Sequence, residues 1–382
     1  MALADRAPSN GMLNRLRRTF GAWQTRLVTS PDFQRWASRF PLTRPFVRRD
    51  AAALYDLLAG FVYTQVLLAC IDLDLLRRLR RGPAHAEDLA AATRIPVDRM
   101  DTLCRAATAI GLMARSDDGA YRLGRLGAAA DSVPGLADMI SHNRLLYEDL
   151  SDPVALLRGK EKTALSEFWP YVNADGRTGM AVETAEAYSA LMASSQRLVA
   201  EETLAAISFA DISHLLDVGG GTGAFLGQVA ADYPQLNLTL FDLPAVADAA
   251  RRSVSHAGLS KRIRIVGGSF VDDDLPPIDG AISLVRILYD HDDATVRLIL
   301  RRAFRALAPG GRIVVSEPMS GGARPSRSGD AYFGFYTMAM TTGQPRSPAR
   351  HRELLLEAGF QTIQHRTGPR PFLTEVICGS RP

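Results

Sequence analysis

His214-Leu215-Leu216-Asp217-Val218-Gly219-Gly220-Gly221-Thr222-Gly223 is the stretch on which the reading of this chain turns. An apolar strand runs into a glycine-rich turn, and a helix is expected from Ala224 onward. A turn without side chains lets a ligand come close to the backbone. Nineteen residues past Gly223, Asp242 closes a second apolar run, Leu238-Thr239-Leu240-Phe241. An acid in that place accepts hydrogen bonds from both ribose hydroxyls of an adenosine-type ligand. The pairing predicts an adenosyl cofactor.

Two kinds of adenosyl cofactor compete. Gly219, Gly221 and Ala224 satisfy the G-x-G-x-x-G/A pattern of dinucleotide sites, a weak signal alone. Asp217 argues the other way. An anion inside the turn repels a pyrophosphate but accommodates a cationic sulfonium with an amino-acid tail, and Gly223 opens the turn further. The stretch Asp217–Gly223 resembles the first motif of class I S-adenosylmethionine methyltransferases. A nicotinamide or flavin enzyme is the alternative.

At 382 residues the chain has room for two domains and their cores. No run of 18 apolar residues is unbroken, so no membrane span is expected. The first residues lack the features of a secretion signal. Cys70, Cys104 and Cys378 are far apart and read as buried apolar residues in a reducing cytosol. The histidines form no ligand-spaced pair, so no metal is expected. The net charge of +4 is uneven: residues 1–50 carry +7, leaving −3 for the rest.

Residues 1–49 read as a basic amphipathic arm, disordered up to residue 10. Met12, Leu13, Leu16, Phe20, Trp23 and Leu27 fall at helical spacing among arginines, followed by Phe33, Trp36 and Phe40. Such an arm suits an anionic membrane surface. Docking on the protein's own body or on a dimer partner explains it equally well. Residues 50–200 read as a helical domain. It opens with a long apolar stretch, Leu54 through Leu79, and continues with helices from Ala86 and from Val97 to Met113. A hairpin turning at Asp117-Asp118-Gly119 follows. Helix, helix, hairpin is a winged-helix-like order. DNA binding is its obvious use, but Asp98 and Asp101 interrupt any basic stripe on the second helix. A dimerisation and substrate-capping module is the favoured reading over a ligand-sensing DNA-binding regulator.

Residues 201–382 read as an α/β domain with a Rossmann-like, doubly wound sheet. Ile263–Val266, Ile278–Leu284 and Ile313–Ser316 are strands, Arg297–Leu307 is a helix, and Phe372–Cys378 is a last, antiparallel strand. Further matching pieces are Phe241-Asp242-Leu243-Pro244, Gly268-Ser269-Phe270, Arg286 to Asp293, Pro309-Gly310-Gly311 and Ser316-Glu317-Pro318. With them, nearly the whole chain resembles the small-molecule O-methyltransferases that join a winged-helix-like dimerisation domain to a cofactor-binding domain. The resemblance implies S-adenosylmethionine held by Asp217, Gly219, Gly221, Asp242, Leu243, Ser269, Phe270 and Arg286, and a homodimer.

Three departures narrow it. Ser269 stands where the family usually has an acid. Tyr289 stands where the phenol-methylating members have a histidine base, and Pro345 where that histidine's acidic partner falls. Arg39–Pro45, Leu58–Cys70 and Arg286–Asp293 are similar to the acyclic-carotenoid hydroxyl O-methyltransferases of purple photosynthetic bacteria. That similarity implies methylation of the tertiary 1-hydroxyl of hydroxyneurosporene or demethylspheroidene, toward spheroidene and spirilloxanthin. Bacteriochlorophyllide C-methyltransferases and polyketide-type O-methyltransferases are the competing enzymes.

A tertiary alcohol is too weak an acid to ionise before attack, so its proton leaves as the C–O bond forms. His291 is the candidate base, oriented by Asp290, Asp292 or Asp293, unless it is only a helix-entry residue beside a capping acid. Tyr289 is ranked first for contact with the acceptor oxygen. A rod-shaped polyene needs an apolar wall, for which Tyr332, Phe335, Tyr336, Met338 and Met340 are the candidates, although such residues often form ordinary core. The expected location is the cytoplasm, at the cytoplasmic face of the inner or intracytoplasmic membrane.

Overall fold

The computed structural model describes Arg26 and residues 29–159, 162–168 and 195–382. The helix expected over Met12–Val28, and the aromatics Trp169, Tyr171 and Tyr188, lie outside the described residues apart from Arg26.

The chain divides into two compact units after Gly124. In the first, Ser30 caps the helix Pro31–Arg39 through its hydroxyl, and Pro31 presets the first turn. Arg44–Asp72 forms one long helix, which ends before Asp74 takes a left-handed conformation (φ 56°). The single stretch expected over Leu54–Leu79 is therefore two helices, the second being Leu75–Arg81. Ala86–Thr93 and Val97–Ala109 follow, then strands β1 (Met113–Arg115) and β2 (Tyr121–Leu123), paired antiparallel. Cys70, Leu75, Leu79, Met100, Cys104, Met113 and Tyr121 are buried. Burial pushes the Cys70 thiol up to about 12 and the Cys104 thiol to about 11, which suits packing residues rather than nucleophiles.

The expectation that nothing in the chain is apolar enough to cross a membrane needs correction. Arg44–Asp72 is long and apolar enough by length and composition, although little of its most apolar stretch is buried. Asp56, Gly60, Thr64 and Gln65 break any uninterrupted apolar run but leave the average apolar. Leu54, Leu57, Leu58 and Phe61 stand exposed along it.

In the second unit, β3 (His214–Val218), β4 (Asn237–Asp242), β5 (Ile263–Gly267), β6 (Ala281–Val285), β7 (Arg312–Glu317), β8 (Gln361–Thr367) and β9 (Glu375–Ser380) form one sheet. Its order is β5-β4-β3-β6-β7-β9-β8, parallel from β5 to β7 and antiparallel at β9 and β8. One core, with Ile299, Leu300 and Leu354, covers one face. A second, with Phe209, Phe225 and Val254, covers the other. Those cores make the sheet doubly wound, as the strand–helix alternation predicts. β8 is absent from the sequence reading because it lies at the sheet edge with only Ile363 buried, so it carries no apolar alternation.

The division after Gly124 differs from the domain edge expected at residue 200. Helices Leu136–Asp149, Pro153–Leu157 and Ala164–Phe168 pack with the second unit through Leu146, Leu156, Leu165, Tyr336 and Met340.

Candidate active site

Strand order reverses at β3, so a crevice opens at the C-terminal ends of β3 and β6, where open α/β sheets bind ligands. The glycine turn and the Arg286–Asp293 segment meet there. Gly219 has φ +72°, and a Cβ on it would lie 2.3 Å from Ile287 Cδ1. Gly221 has φ +57° with open space above it. A side chain on Gly219 would strike Ile287, whereas the backbone at Gly221 opens onto empty space.

Asp242 Oδ2 accepts from the Gly221 amide at 2.8 Å, and its Oδ1 accepts from the Leu243 amide at 2.7 Å. Leu243 thus serves through its backbone, just before the helix Pro244–His256. Burial raises Asp242 to about 6 despite those amides. Asp217 is buried, with Oδ1 accepting from the Ser283 hydroxyl at 2.6 Å. Burial, and then the charge of Asp242, raise it to about 7. Ser269 turns inward on its own loop: its hydroxyl donates to Asp272 at 2.9 Å and its amide to Asp273 at 2.8 Å. Phe270 faces the Gly219 turn and meets the His291 ring edge-on, with centroids 5.5 Å apart.

These residues fit an adenosyl sulfonium. A bare turn with open space, a carboxylate ordered at the next strand end and an aromatic face beside it supply backbone approach, ribose acceptors and an apolar flank.

Beyond β6, Arg286 takes a left-handed conformation (φ 59°), sparsely populated by residues with a side chain. Its guanidinium donates to the Ser195 hydroxyl at 2.8 Å and hydrogen-bonds Tyr289. The turn Leu288–Asp290 follows. Tyr289 is buried, and burial together with Asp290 pushes its phenol above its ordinary range, with Arg286 opposing. It stays a neutral donor at any working pH.

Burial, and then Arg346, hold His291 down at about 4, so its ring is neutral. Asp292 caps the helix Asp293–Ala306, accepting from the Thr295 amide at 2.8 Å. Asp293 pairs with Arg346 at 2.8 Å and Arg350 at 2.6 Å. Burial alone would raise Asp293, but the two guanidiniums bring it to about 2. Of the acids offered to orient His291, two are thus occupied structurally.

The wall residues divide. Tyr336 and Met340 are buried in a cluster with Leu146, Leu156 and Leu165, and Tyr332 and Phe335 pack on its edge. Met340 is ordinary core. Tyr336 Oη lies 2.8 Å from His142 Nε2, and Tyr332 Oη donates to Asn143 at 2.9 Å. Burial, and then Arg286, lower His142 to about 4. Met338 alone of the five lines a cavity of about 1040 Å³, together with Leu156, Asp290, His291, Asp330 and Thr337. The lining is mixed rather than apolar.

Four residues escaped the sequence reading as working parts. Arg346 is buried and donates to the carbonyls of Leu288 and His291, each at 2.7 Å, besides Asp293. Glu317 Oε1 accepts from the Ile287 and Leu288 amides at 2.9 and 2.7 Å, and burial raises it to about 8. Gly343 lies so close to the turn that a Cβ on it would sit 2.1 Å from the Tyr289 carbonyl oxygen. Ile287 presses on Gly219. The only signals in sequence were Arg346 two residues before a Ser-Pro helix start and Glu317 at a strand end.

Residues 131–361 match the O-methyltransferase domain, and residues 55–131 match the O-methyltransferase dimerisation domain. The chain is 47% identical over 358 residues to the demethylspheroidene O-methyltransferase of Cereibacter sphaeroides, covering 94% of each chain. It is 43% identical over 360 residues to the protein of the same name from Rhodobacter capsulatus, covering 94% of this chain and 89% of that one. Among solved structures, the apo form of the S-adenosylmethionine-dependent methyltransferase SibL aligns with a TM-score of 0.73 at 28% identity, over 86% of this chain and 99% of that chain.

Proposed function

We propose that this chain, which belongs to the S-adenosylmethionine-dependent O-methyltransferase family, methylates the tertiary 1-hydroxyl of an acyclic hydroxycarotenoid in spheroidene and spirilloxanthin formation. The observation that carries the substrate is the 47% identity, over 94% of both chains, to a demethylspheroidene O-methyltransferase. The site agrees with it. Tyr289 and Pro345 replace the histidine and acid of the phenol-methylating design, and no pre-ionised phenolate is needed for an alcohol whose proton leaves during attack.

Bound S-adenosylmethionine supplies an electrophilic methyl group on a good leaving group. The chain's own residues do the rest. Asp242 and the Gly219–Gly221 turn would hold the ribose and the methionine portion, and Phe270 would flank the adenine. Tyr289 and Arg286 orient the acceptor oxygen, since positioning is the main demand of an in-line displacement. The polyene is assigned to the wall of Tyr332, Phe335 and Met338, backed by Tyr336 and Met340. Labelled-methyl transfer from S-adenosylmethionine to a panel of acyclic hydroxycarotenoids, phenols and chlorophyllides tests the assignment. Label is expected in the hydroxycarotenoids; label confined to phenols or chlorophyllides removes it.

The winged-helix-like order of Ala86–Leu123 is assigned to pairing two copies, not to DNA. Arg105 is engaged by Asp101 at 3.1 Å on the same helix, which leaves no basic stripe. The exposed Leu57, Leu58 and Phe61 lie within the matched dimerisation segment. Trp36, Phe40, Leu42 and Phe46 are exposed before that segment, beside Arg35, Arg39, Arg44, Arg48 and Arg49. That basic, aromatic surface is assigned to the cytoplasmic face of the inner or intracytoplasmic membrane, where the substrate is concentrated. Each basic residue near anionic lipid contributes on the order of 1 kcal/mol. Deleting residues 1–45 removes most of that surface, leaving Phe46, Arg48 and Arg49, and is expected to cut co-sedimentation with anionic liposomes sharply while light scattering still gives a dimer. Undiminished sedimentation makes the arm structural, and a monomeric full-length chain removes the pairing.

A further inference from the structure

The segment from Tyr289 to Asp293 presents five acid–base groups in succession. Four are committed. Asp292 caps a helix, Asp293 sits between Arg346 and Arg350, and Tyr289 is a buried neutral phenol held by Arg286. The His291 ring packs on Phe270 and is a very weak base.

Asp290 differs. It lines the cavity of about 1040 Å³ beside Met338 and Thr337. Its carboxylate is hydrogen-bonded to Tyr289, yet its Oδ1 is buried with no hydrogen-bond partner. A buried carboxylate oxygen without a protein partner is costly and is completed by a water or by a ligand's donor, and Glu317 Oε2 shares that condition behind it. Asp290 lines the cavity, so a modest turn of its side chain would bring Oδ1 to a hydroxyl bound there. The backbone around Asp290 is rigidly set: the Gln344 amide donates to the Tyr289 carbonyl at 2.9 Å, and Gly343 packs against the Asp290 backbone.

We infer that Asp290 is the catalytic proton acceptor, taking the proton of the methylated hydroxyl on Oδ1 as the C–O bond forms. The inference rests on the O-methyl-transfer reading above. The oxygen's electron pair forms the new bond to the methyl carbon, and the S–C pair stays on sulfur. The released proton neutralises the Asp290 carboxylate, then leaves to water through the cavity. Charge balances, since a cationic donor and an anionic base give neutral products.

The groups facing Asp290 agree with this role. Arg286 and Tyr289 favour its ionised form, and Glu317 at the end of β7 opposes ionisation. His291, Asp292 and Asp330 share the cavity wall. Burial raises Asp290 to about 7, against about 4 for His291, which places it where a general base is most effective.

The test is the pH dependence of kcat at saturating S-adenosylmethionine, on whichever hydroxyl of the panel the wild type methylates. Wild-type kcat is expected to rise through a limb near pH 7. Asp290→Asn is expected to lose about 10²–10⁴-fold in kcat together with that limb. Calorimetry should show its S-adenosylmethionine affinity unchanged, which also certifies the fold. Asp290→Glu should restore part of the rate and a limb. A wild-type limb near pH 4, lost in His291→Gln, gives the proton to His291 and overturns the inference. So does an Asp290→Asn enzyme within a few-fold of wild type, or one retaining the limb near pH 7. Should Asp290→Asn fail to fold, Asp290→Glu and the wild-type limb decide. A wild type that methylates only phenols overturns the carotenoid reading while leaving the base tested on the phenol.

Discussion

Replacing Arg346 by methionine is expected to cost about 2–4 kcal/mol of folding stability, the loss of several hydrogen bonds from one buried charged group. Arg346 is buried to 3% exposure, and its guanidinium gathers Asp293 and the carbonyls of Leu288 and His291, bonds of 2.7–2.8 Å. Those contacts fix both ends of the turn that carries Tyr289 and Asp290. Methionine fills most of the volume but takes the guanidinium donor from the His291 carbonyl and leaves the Leu288 carbonyl only the His291 amide, at 3.2 Å. Asp293 keeps Arg350, so the loss centres on the turn. Lysine is not expected to rescue, because one ammonium cannot span three acceptors lying in different directions. Urea denaturation measures the stability. Alongside it, kcat should fall more steeply than S-adenosylmethionine affinity, because the glycine turn and Asp242 are anchored elsewhere. A variant within 1 kcal/mol of wild type, or one that loses cofactor and rate in step, contradicts this role for Arg346.

The contrast between what the chain's letters disclose and what they hide follows from this geometry. The cofactor half was legible because its signals are local. Asp217 to Gly223 and Asp242 announce themselves within one β-α-β unit, and the strands around them are continuous apolar runs. The acceptor side is assembled from distant segments: Leu288 to Asp293, Glu317, and Gly343 to Arg346. Nothing in the spelling of Gly343-Gln344-Pro345-Arg346 says that its guanidinium reaches back to Asp293. His291 stood out as the lone histidine in an acidic run, but burial beside Arg346 is a tertiary fact that makes it a poorer base than its neighbour. β8 failed for the opposite reason, since an edge strand needs no apolar pattern. Asp290 looked like one acid among three until the other two were seen to be used.

The ligand-free protein is expected to lose stability as pH rises from 6 to 8. Burial raises Asp217 and Asp290 to about 7, Glu317 to about 8 and Asp242 to about 6, while the unfolded chain ionises all four near pH 4. A carboxyl with a raised folded-state pKa contributes stability that is complete below its unfolded value and lost as pH climbs through its folded value. Three histidines, His351 buried and His142 and His291 half-buried, act in the other direction. His142 and His291 are lowered to about 4 and His351 to about 3, each chiefly by burial. Their contribution is present above pH 6.5 and is lost on acidification. Asp293, held at about 2, adds to the acid-side loss. The histidine effect is nearly saturated by pH 7, whereas three carboxyls are still releasing protons there. The carboxyls therefore dominate between pH 6 and 8, and the midpoint of thermal unfolding should fall across that interval. S-adenosylmethionine should offset part of the fall. Its ribose hydroxyls and positive charge favour ionised Asp242, so affinity should rise as pH passes about 6 and the cofactor's stabilisation should be larger at pH 8 than at pH 6. Thermal scans from pH 5 to 8.5, with and without the cofactor, measure both slopes. A ligand-free midpoint that is flat or rising between pH 6 and 8 would mean that these carboxyls are solvated in the folded protein, and the burial that gives Asp290 its basicity would go with them.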